Sequence, residues 1–247
     1  MRYGVFSDVH GNLEALKAVL GHFESEGVDA HLCCGDLVGY GPDPEACLGL
    51  IRSLKGLSVV GGNHDLAVAG RMDLEWFNPY ARTAAIWTRA HLSRQALDFL
   101  EGLPLRVETS DWTMVHGSPR KPPEEYLLSP AQFQDCRSYV KAWPLFMGHS
   151  HMPLAFRSSA AGTDVVFLGD REESAAMEGG VPAPAAFNPG SVGQPRDHDP
   201  RASCGVYDTK TRVFRIARLS YDYRLVQGKI REAGLPEYLA LRLEYGQ

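Results

Sequence analysis

The sequence predicts an α/β protein (α+β by some schemes), built as two stacked mixed β-sheets with helices on the outside. Three observations lead there. The first 60 residues alternate short apolar runs with helical periodicity in a βαβαβ rhythm. The second half is dominated by short strand-like runs separated by turn residues. Neither an internal repeat nor a linker-like stretch divides the 247 residues, so one domain over 1–247 is expected. A chain of this length buries on the order of three-quarters of its unfolded surface.

Residues 2–6 read as a short buried strand, followed by a polar turn from Ser7 to Asn12. Leu13, Leu16, Leu20 and Phe23 recur at helical spacing, which predicts an amphipathic helix over 13–26. Residues 30–34 form the next strand. Asp43-Pro44 opens a helix through about Ser53, with proline at its favoured first position. Residues 57–60 are the third strand. A βαβαβ succession implies parallel strands, right-handed crossovers and a ligand crevice at the carboxyl ends of the strands.

The stretch from about 71 to 103 is expected as a helical excursion, with Asn78-Pro79 and Ser93 supplying N-caps. Strands follow at 106–108 and 113–116, around a turn at Ser110-Asp111. A helix is expected over 129–139 and a strand over 144–147. Further strands are predicted at 154–157, 165–168, 205–208 and 213–219. Residues 171–184, with Gly179-Gly180 and Pro182-x-Pro184, read as a loop excursion. Helices over about 221–232 and 237–243 close the chain.

Composition excludes several classes of function. With 44% hydrophobic and 22% charged residues and a net charge of −5, the chain resembles an ordinary globular protein. Nothing draws it towards nucleic acid or anionic membrane. The N-terminus enters Tyr3-Gly4-Val5-Phe6 directly, too short and polar-flanked for a signal peptide, and no run of about 18 apolar residues spans a bilayer. The five cysteines form no C-x-x-C pair, which argues against a disulfide framework or structural zinc. Cys33 and Cys34 lie in an apolar run and are expected as buried thiols. A reducing cytoplasm fits, and a homo-oligomer is left open.

Chemistry concentrates in five short motifs, each at the end of an expected strand. They are Asp8-Val9-His10, Gly35-Asp36, Gly62-Asn63-His64-Asp65, His116-Gly117 and Gly148-His149-Ser150-His151. Carboxylate, amide and imidazole donors without thiolates suit divalent ions that activate water for phosphoryl transfer. Two such ions about 3.5–4 Å apart need a shared carboxylate, and Asp36 is the lone acid of its motif. In extended backbone the i, i+2 pairs Asp8/His10 and His149/His151 address one site. Five of the nine histidines fall in these motifs; His22, His31, His91 and His198 do not and are expected to be solvent-facing or structural.

The ordered pattern D-x-H, G-D, G-N-H-D, H-G, G-H-x-H resembles the calcineurin-like metallophosphoesterase superfamily over roughly residues 5–151. The resemblance implies that family's sandwich fold and two divalent ions, with Mn, Fe, Zn, Ni or Co all accepting the ligands. It implies one ion held by Asp8, His10, Asp36 and His151 and the other by Asp36, Asn63, His116 and His149. His64 would face the phosphate as transition-state stabiliser and general acid. The expected reaction is attack of metal-bound hydroxide on a small phosphate ester, a phosphodiester or nucleotide-based compound.

The chain departs from the protein-phosphatase branch in its second motif, Gly35-Asp36-Leu37-Val38-Gly39-Tyr40-Gly41-Pro42. Gly39 stands where that branch has the aspartate that orients the histidine, so Asp65 or a carbonyl must serve His64. Tyr40 stands for its phosphate-binding arginine. The G-Y-G-P form, with the run Asn188 to Arg196, is similar to a bacterial and archaeal branch of small phosphoesterases, phosphodiesterases and dinucleoside-tetraphosphate hydrolases.

Substrate contacts remain open between two readings. Arg196 offers a bidentate fork for phosphate or is a solvated loop residue. Asn12 donates to a phosphate oxygen or merely caps a helix. Tyr40 hydrogen-bonds phosphate, stacks a base, or does neither. Trp76, Phe77 and Tyr80 have faces that stack on bases, but a core role is the expectation. The rival functions are a dinucleoside-polyphosphate hydrolase, a cyclic-nucleotide phosphodiesterase, and a scaffold that kept the fold without catalysis, as in a retromer subunit.

Overall fold

A computed structural model describes every residue except 160, 161, 170, 171, 175, 176, 179 and 180. The chain opens with β1 (Arg2–Phe6), α1 (Leu13–Glu26), β2 (Ala30–Cys33), α2 (Pro44–Arg52) and β3 (Leu57–Val59). It continues through α3 (Asn63–Ala69), a 3-10 turn at Leu74–Trp76, α4 (Pro79–His91) and α5 (Arg94–Glu101). Next come β4 (Arg106–Glu108), β5 (Thr113–Val115), α6 (Pro130–Cys136) and β6 (Leu145–Phe146). The β-rich half holds β7 (Pro153–Ser159), β8 (Gly162–Phe167), β9 (Glu172–Ser174), β10 (Met177–Glu178), β11 (Val181–Pro182) and β12 (Ala185–Pro189). Strands β13 (Ala202–Asp208) and β14 (Val213–Leu219) precede α7 (Tyr223–Glu232) and α8 (Glu237–Tyr245).

Among the described residues these strands build two six-stranded mixed sheets, ordered β3-β2-β1-β13-β14-β9 and β4-β5-β6-β12-β7-β8. The expected parallel trio is present: Phe6 lies opposite Cys33 and Cys33 opposite Val59. In the second sheet β5 and β6 are parallel too. The carboxyl ends of β1, β2, β3, β5 and β6 carry the five motifs. The inner faces meet in one apolar layer, with Val5, Leu32, Tyr207 and Phe214 from the first sheet against Met114, Phe146 and Phe187 from the second. Burying each such side chain stabilises by roughly 1.5–3 kcal/mol, so the strand ends bearing the motifs sit on a stiff platform.

Helices α1 and α2 cover the outer face of the first sheet through Leu16, Val19, Phe23, Leu48 and Ile51. Helix α6 covers the second sheet through Phe133 and Cys136. Helices α4, α7 and α8 form a further apolar cluster that includes Tyr40. The expected caps act as such: Asn78 accepts from the Ala81 N–H and Ser93 from the Ala96 N–H. All five cysteines are free and buried. Among the described residues, no helix is long and apolar enough to cross a membrane.

Three features depart from or add to the expectations. The strand β12 was not foreseen, because Pro182, Pro184 and Pro189 make its surroundings read as turn. Its residues are all buried, and Pro189 sits at its end opposite Pro153, where a missing N–H costs little. The loop expected over 171–184 contains strand: Glu172–Ser174 pairs with β14, and Met177–Glu178 with Val181–Pro182. Gly179-Gly180, the turn read from the sequence there, lies outside the described residues. Finally, Gly62-Asn63-His64-Asp65 opens helix α3 directly, because the Asp65 carboxylate accepts from the Gly62 N–H at 3.0 Å and closes its first turn.

Candidate metal centre

The strand ends bring the motif residues together in two groups that share Asp36. Asp8, His10, Asp36 and His151 offer ligand atoms within 4.8 Å of one another, and so do Asp36, His116 and His149. All of these residues are buried. Asn63 joins the second group, its Oδ1 lying 3.2 Å from His116 Nε2. The grouping coincides with the ligand sets implied by the sequence resemblance.

Local backbone explains how short loops present so many donors. Asp8, His10, Asp36, His149 and His151 all adopt left-handed φ, between +49° and +67°. Such residues store roughly 1–3 kcal/mol each and persist only where the surroundings enforce them. Here the enforcement is visible. The Asp8 N–H donates to the Gly35 carbonyl at 2.9 Å and the His10 N–H to the Asp36 carbonyl at 3.0 Å. The Gly148 N–H donates to the His116 carbonyl at 2.7 Å. Gly62 must lack a side chain, since a Cβ there would fall on the Asp36 carboxylate.

Whether the donor set suits a divalent ion depends on which lone pairs are turned inward. His10 Nδ1–H donates to the Val38 carbonyl at 3.0 Å, and His151 Nδ1–H to the Gln194 carbonyl at 2.6 Å. Both Nε2 atoms are then unprotonated, yet they face each other at 3.2 Å. Two opposed lone pairs repel unless a cation lies within reach of both. His116 Nδ1–H donates to the Cys34 carbonyl at 2.8 Å and His149 Nε2–H to the Glu124 carbonyl at 3.2 Å. Each imidazole thus has one nitrogen fixed by a backbone carbonyl and the other turned inward, as metal-binding histidines do. The residues fit two borderline divalent ions.

Asp36 has the geometry of a bridge. Its Oδ1 accepts the His64 N–H at 2.9 Å, at the first turn of α3. Its Oδ2 lies 3.6 Å from His10 Nε2 and 3.3 Å from His116 Nε2, one imidazole from each group. Burial pushes its carboxyl up, but the imidazoles of His116, His64 and His10 outweigh that and hold it well below the usual range. Asp8 differs: burial dominates and raises it to about 7. A buried acid of this kind requires nearby positive charge to stay ionised.

The run from Asn188 to Arg196 proves to be a brace as well as a carrier of Arg196. The Val192 and Gly193 N–H groups donate to the Ser7 and Asp8 carbonyls, and Ser191 Oγ donates to the Asp8 carbonyl at 2.9 Å. Asn188 Nδ2 donates to the Gly148 carbonyl at 2.6 Å. Sequence reasoning missed Asn188, Ser191 and Gln194 in this role. The available signal was a turn-rich run between two strands, which does not say what the turn touches.

His64 lies beside the metal groups, buried, with His10, Tyr40 and Phe77 ring centroids at 4.8, 4.4 and 4.9 Å. Its Nδ1 is buried without a hydrogen-bond partner. The expectation that Asp65 or a carbonyl orients it is corrected: Asp65 accepts from the Leu37, Val38 and Gly62 N–H groups and holds the Asp36 loop instead, and among the described residues no carbonyl accepts from Nδ1. Aromatic packing positions His64. Gly39 is required by that packing, because it holds φ +88° and a Cβ there would lie 2.6 Å from His64 Nδ1. Gly39→Asp is therefore expected to lower stability by about 1–3 kcal/mol and to reduce activity. A thermal melt beside a rate assay checks this; a faster enzyme of unchanged stability contradicts it.

The substrate candidates separate. Arg196 is half-buried and lines a cleft of about 120 Å³ with Asp36, Asn63, His64, His149 and His151. Its terminal NH2 donates to Gln194 Oε1 at 2.9 Å, while its Nε is buried without a partner. Asn12 is the helix cap: its Oδ1 accepts the Ala15 N–H and its Nδ2 donates to the Gly193 carbonyl, so the phosphate-donor reading falls. Tyr40 is 6% exposed, and its ring is packed among His10, His64 and, at 6.0 Å, the Arg196 guanidinium. It forms cleft wall, and base stacking on it is blocked. The core expectation is corrected for Trp76 and Tyr80, which are 87% and 46% exposed, while Phe77 packs against the cluster that includes Tyr40. Trp76 and Phe77 line the mouth of the cleft.

Comparison with known proteins agrees with this geometry. The model of the calcineurin-like phosphoesterase superfamily domain matches residues 1–212. The chain belongs to that superfamily. Uncharacterized protein MJ0912 of Methanocaldococcus jannaschii is 38% identical over 251 residues, covering 98% of this chain and 97% of that protein. A metallophosphoesterase structure from Sphaerobacter thermophilus superposes with a TM-score of 0.89 at 39% identity, covering 100% of this chain and 99% of the other. Protein PH1004 of Pyrococcus horikoshii OT3 shares the fold, with a TM-score of 0.78 at 20% identity over 100% and 98% of the two chains. The superfamily generally uses a dinuclear divalent metal centre, and the Asp36-centred groups could bind metal.

Proposed function

We propose that the protein is a dinuclear-metal phosphoesterase that hydrolyses small phosphate esters. Asp8, His10, Asp36 and His151 hold one ion, and Asp36, Asn63, His116 and His149 the other. The observation that carries the reading is the placement of Asp36 Oδ2 between His10 Nε2 and His116 Nε2, within 3.6 and 3.3 Å. Two bound ions supply an activated water and neutralise charge on the phosphoryl oxygens. The chain's own residues do the rest. Arg196 binds a non-bridging oxygen by its guanidinium. His64, in the same cleft as Asp36 and Asn63, delivers a proton to the departing oxygen. Phe77 and Trp76 shield the cleft mouth from bulk water.

A non-catalytic scaffold is disfavoured by the completeness of the donor set. Each outward nitrogen is tied to a backbone carbonyl and each inward one faces the other candidate ligands. A chain without catalysis has no need to keep five buried residues at left-handed φ.

Exhaustive chelation is expected to abolish hydrolysis of an aryl phosphodiester. Mn²⁺ or a similar borderline ion should restore it, and Ca²⁺ should restore little, because imidazole-rich sites disfavour a hard oxygen-seeking cation. Metal analysis of the same sample should give two ions per chain. Activity that survives a metal content near zero removes this reading.

A further inference from the structure

A second cleft opens beside the metal groups, and its chemistry differs from theirs. It has a volume of about 390 Å³ and shares Tyr40, Asn78, Tyr126 and Arg196 with the metal-side cleft. Its far wall comes from Tyr80 of α4 and from Tyr238 and Arg242 of α8. Two guanidiniums thus face one space, and no carboxylate lines it among the described residues. In a chain of net charge −5 that is an unusual wall.

Several other arginines are matched with acids, among them Arg2 with Glu26, Arg120 with Glu125, Arg201 with Asp199, Arg218 with Asp197 and Arg231 with Glu237. Neither Arg196 nor Arg242 has an Asp or Glu partner among the described residues; the oxygen that accepts the Arg242 Nε–H belongs to Gln247, the last residue of the sequence. Arg242 spends its Nε–H on the Gln247 carbonyl and lies 5.3 Å above the Tyr238 ring. Arg196 spends one NH2 on Gln194 and faces Tyr40. Burial and the charge of Arg196 both depress the Arg242 guanidinium below its usual range. Two like charges held half-buried together cost free energy, which an anion placed between them recovers. The stacked Tyr80–Tyr238 pair, with centroids 4.8 Å apart, adds a flat aromatic wall of the kind that accepts a base or sugar.

We propose that Arg242, across the cleft from Arg196, forms a second-anion subsite, which reads a phosphate on the part of the substrate that is not attacked, while Arg196, which lines both clefts, lies between that phosphate and the attacked one. Arg242 is then a specificity-determining residue, and it lies beyond residues 1–212 that match the superfamily model. The substrate class is a nucleotide-like ester carrying a further phosphate, with its ring against Tyr80 and Tyr238. The proposal rests on the phosphoesterase reading for the position of the scissile group.

Calorimetric titration of the Mn²⁺-loaded protein with adenosine 5′-monophosphate and adenosine 3′,5′-bisphosphate tests it, beside a hydrolysis assay on an aryl phosphodiester. The bisphosphate is expected to bind at least tenfold more tightly. In Arg242→Gln that ratio should fall to near one, and Arg242→Lys should keep part of it, since a point charge remains without the fork. Melting curves and metal content of both variants confirm that they are folded and loaded. A wild-type ratio near one overturns the subsite, as does a ratio that survives in folded Arg242→Gln. Preferential binding without hydrolysis of any ester leaves the subsite standing and removes the phosphoesterase reading. Hydrolysis without the preference does the reverse.

Discussion

Asp36→Asn is expected to empty both metal positions and to cut hydrolysis on the order of 10³-fold, the equivalent of about 4 kcal/mol of transition-state stabilisation. The carboxylate now serves three neighbours at once. Oδ1 accepts the His64 N–H at 2.9 Å, while Oδ2 faces His10 and His116. Asparagine keeps the shape and removes the charge. Its NH2 must also point somewhere: towards the His64 N–H it meets another donor, and towards the imidazoles it occupies the lone pairs meant for metal. His151→Ala provides the contrast, because His151 belongs to one group alone, and it should weaken mainly one ion. Metal analysis after gel filtration separates the two cases. Two tightly held ions in Asp36→Asn would show that this carboxylate does not bridge.

Much of this centre was legible in the sequence because its donors are short-range features at strand ends. Asp8-x-His10, Gly35-Asp36 and Gly148-His149-x-His151 each follow an apolar run of a few residues, and parallel strands align their carboxyl ends whatever lies between them. The helices of the first half were legible for a similar reason, being written in local periodicity and caps. What escaped was set by tertiary contact. Asp65 follows His64 in sequence, yet its carboxylate turns to the Leu37 and Val38 N–H groups. Gly39 looked like the loss of an orienting acid, whereas the ring of His64 occupies its missing side chain. Trp76 and Tyr80 are apolar enough to be read as core, and only the placement of the 3-10 turn at Leu74–Trp76 and of α4 shows them exposed. Strand β12 is a central strand disguised by prolines at its flanks. Arg242 sits 46 residues beyond Arg196, and no local pattern links them.

The largest effect that depends on substrate should come from His64→Gln. Its imidazole lines the cleft with Asp36, Asn63 and Arg196, and its ring is held by His10, Tyr40 and Phe77. Glutamine keeps the backbone N–H that Asp36 accepts, so metal content should survive the change. A nitrophenolate departs without a proton, so hydrolysis of an activated aryl diester should fall only a few-fold, well below the usual general-acid contribution of about 10²–10⁴. An alkoxide or ribose hydroxyl leaves poorly as an anion, and there the loss should reach about 10²–10⁴-fold. The absence of a partner on Nδ1 sharpens the test. To donate, His64 must first carry a proton: burial pushes the imidazole down to about 4 against the pull of the Asp36 carboxylate, so proton delivery and a fixed positive charge both depend on that carboxylate, and only the leaving-group dependence separates them. Rates of the variant on a matched aryl and alkyl pair, at equal metal content, decide the matter. Equal losses on both would mean that His64 acts on the phosphoryl charge and delivers no proton.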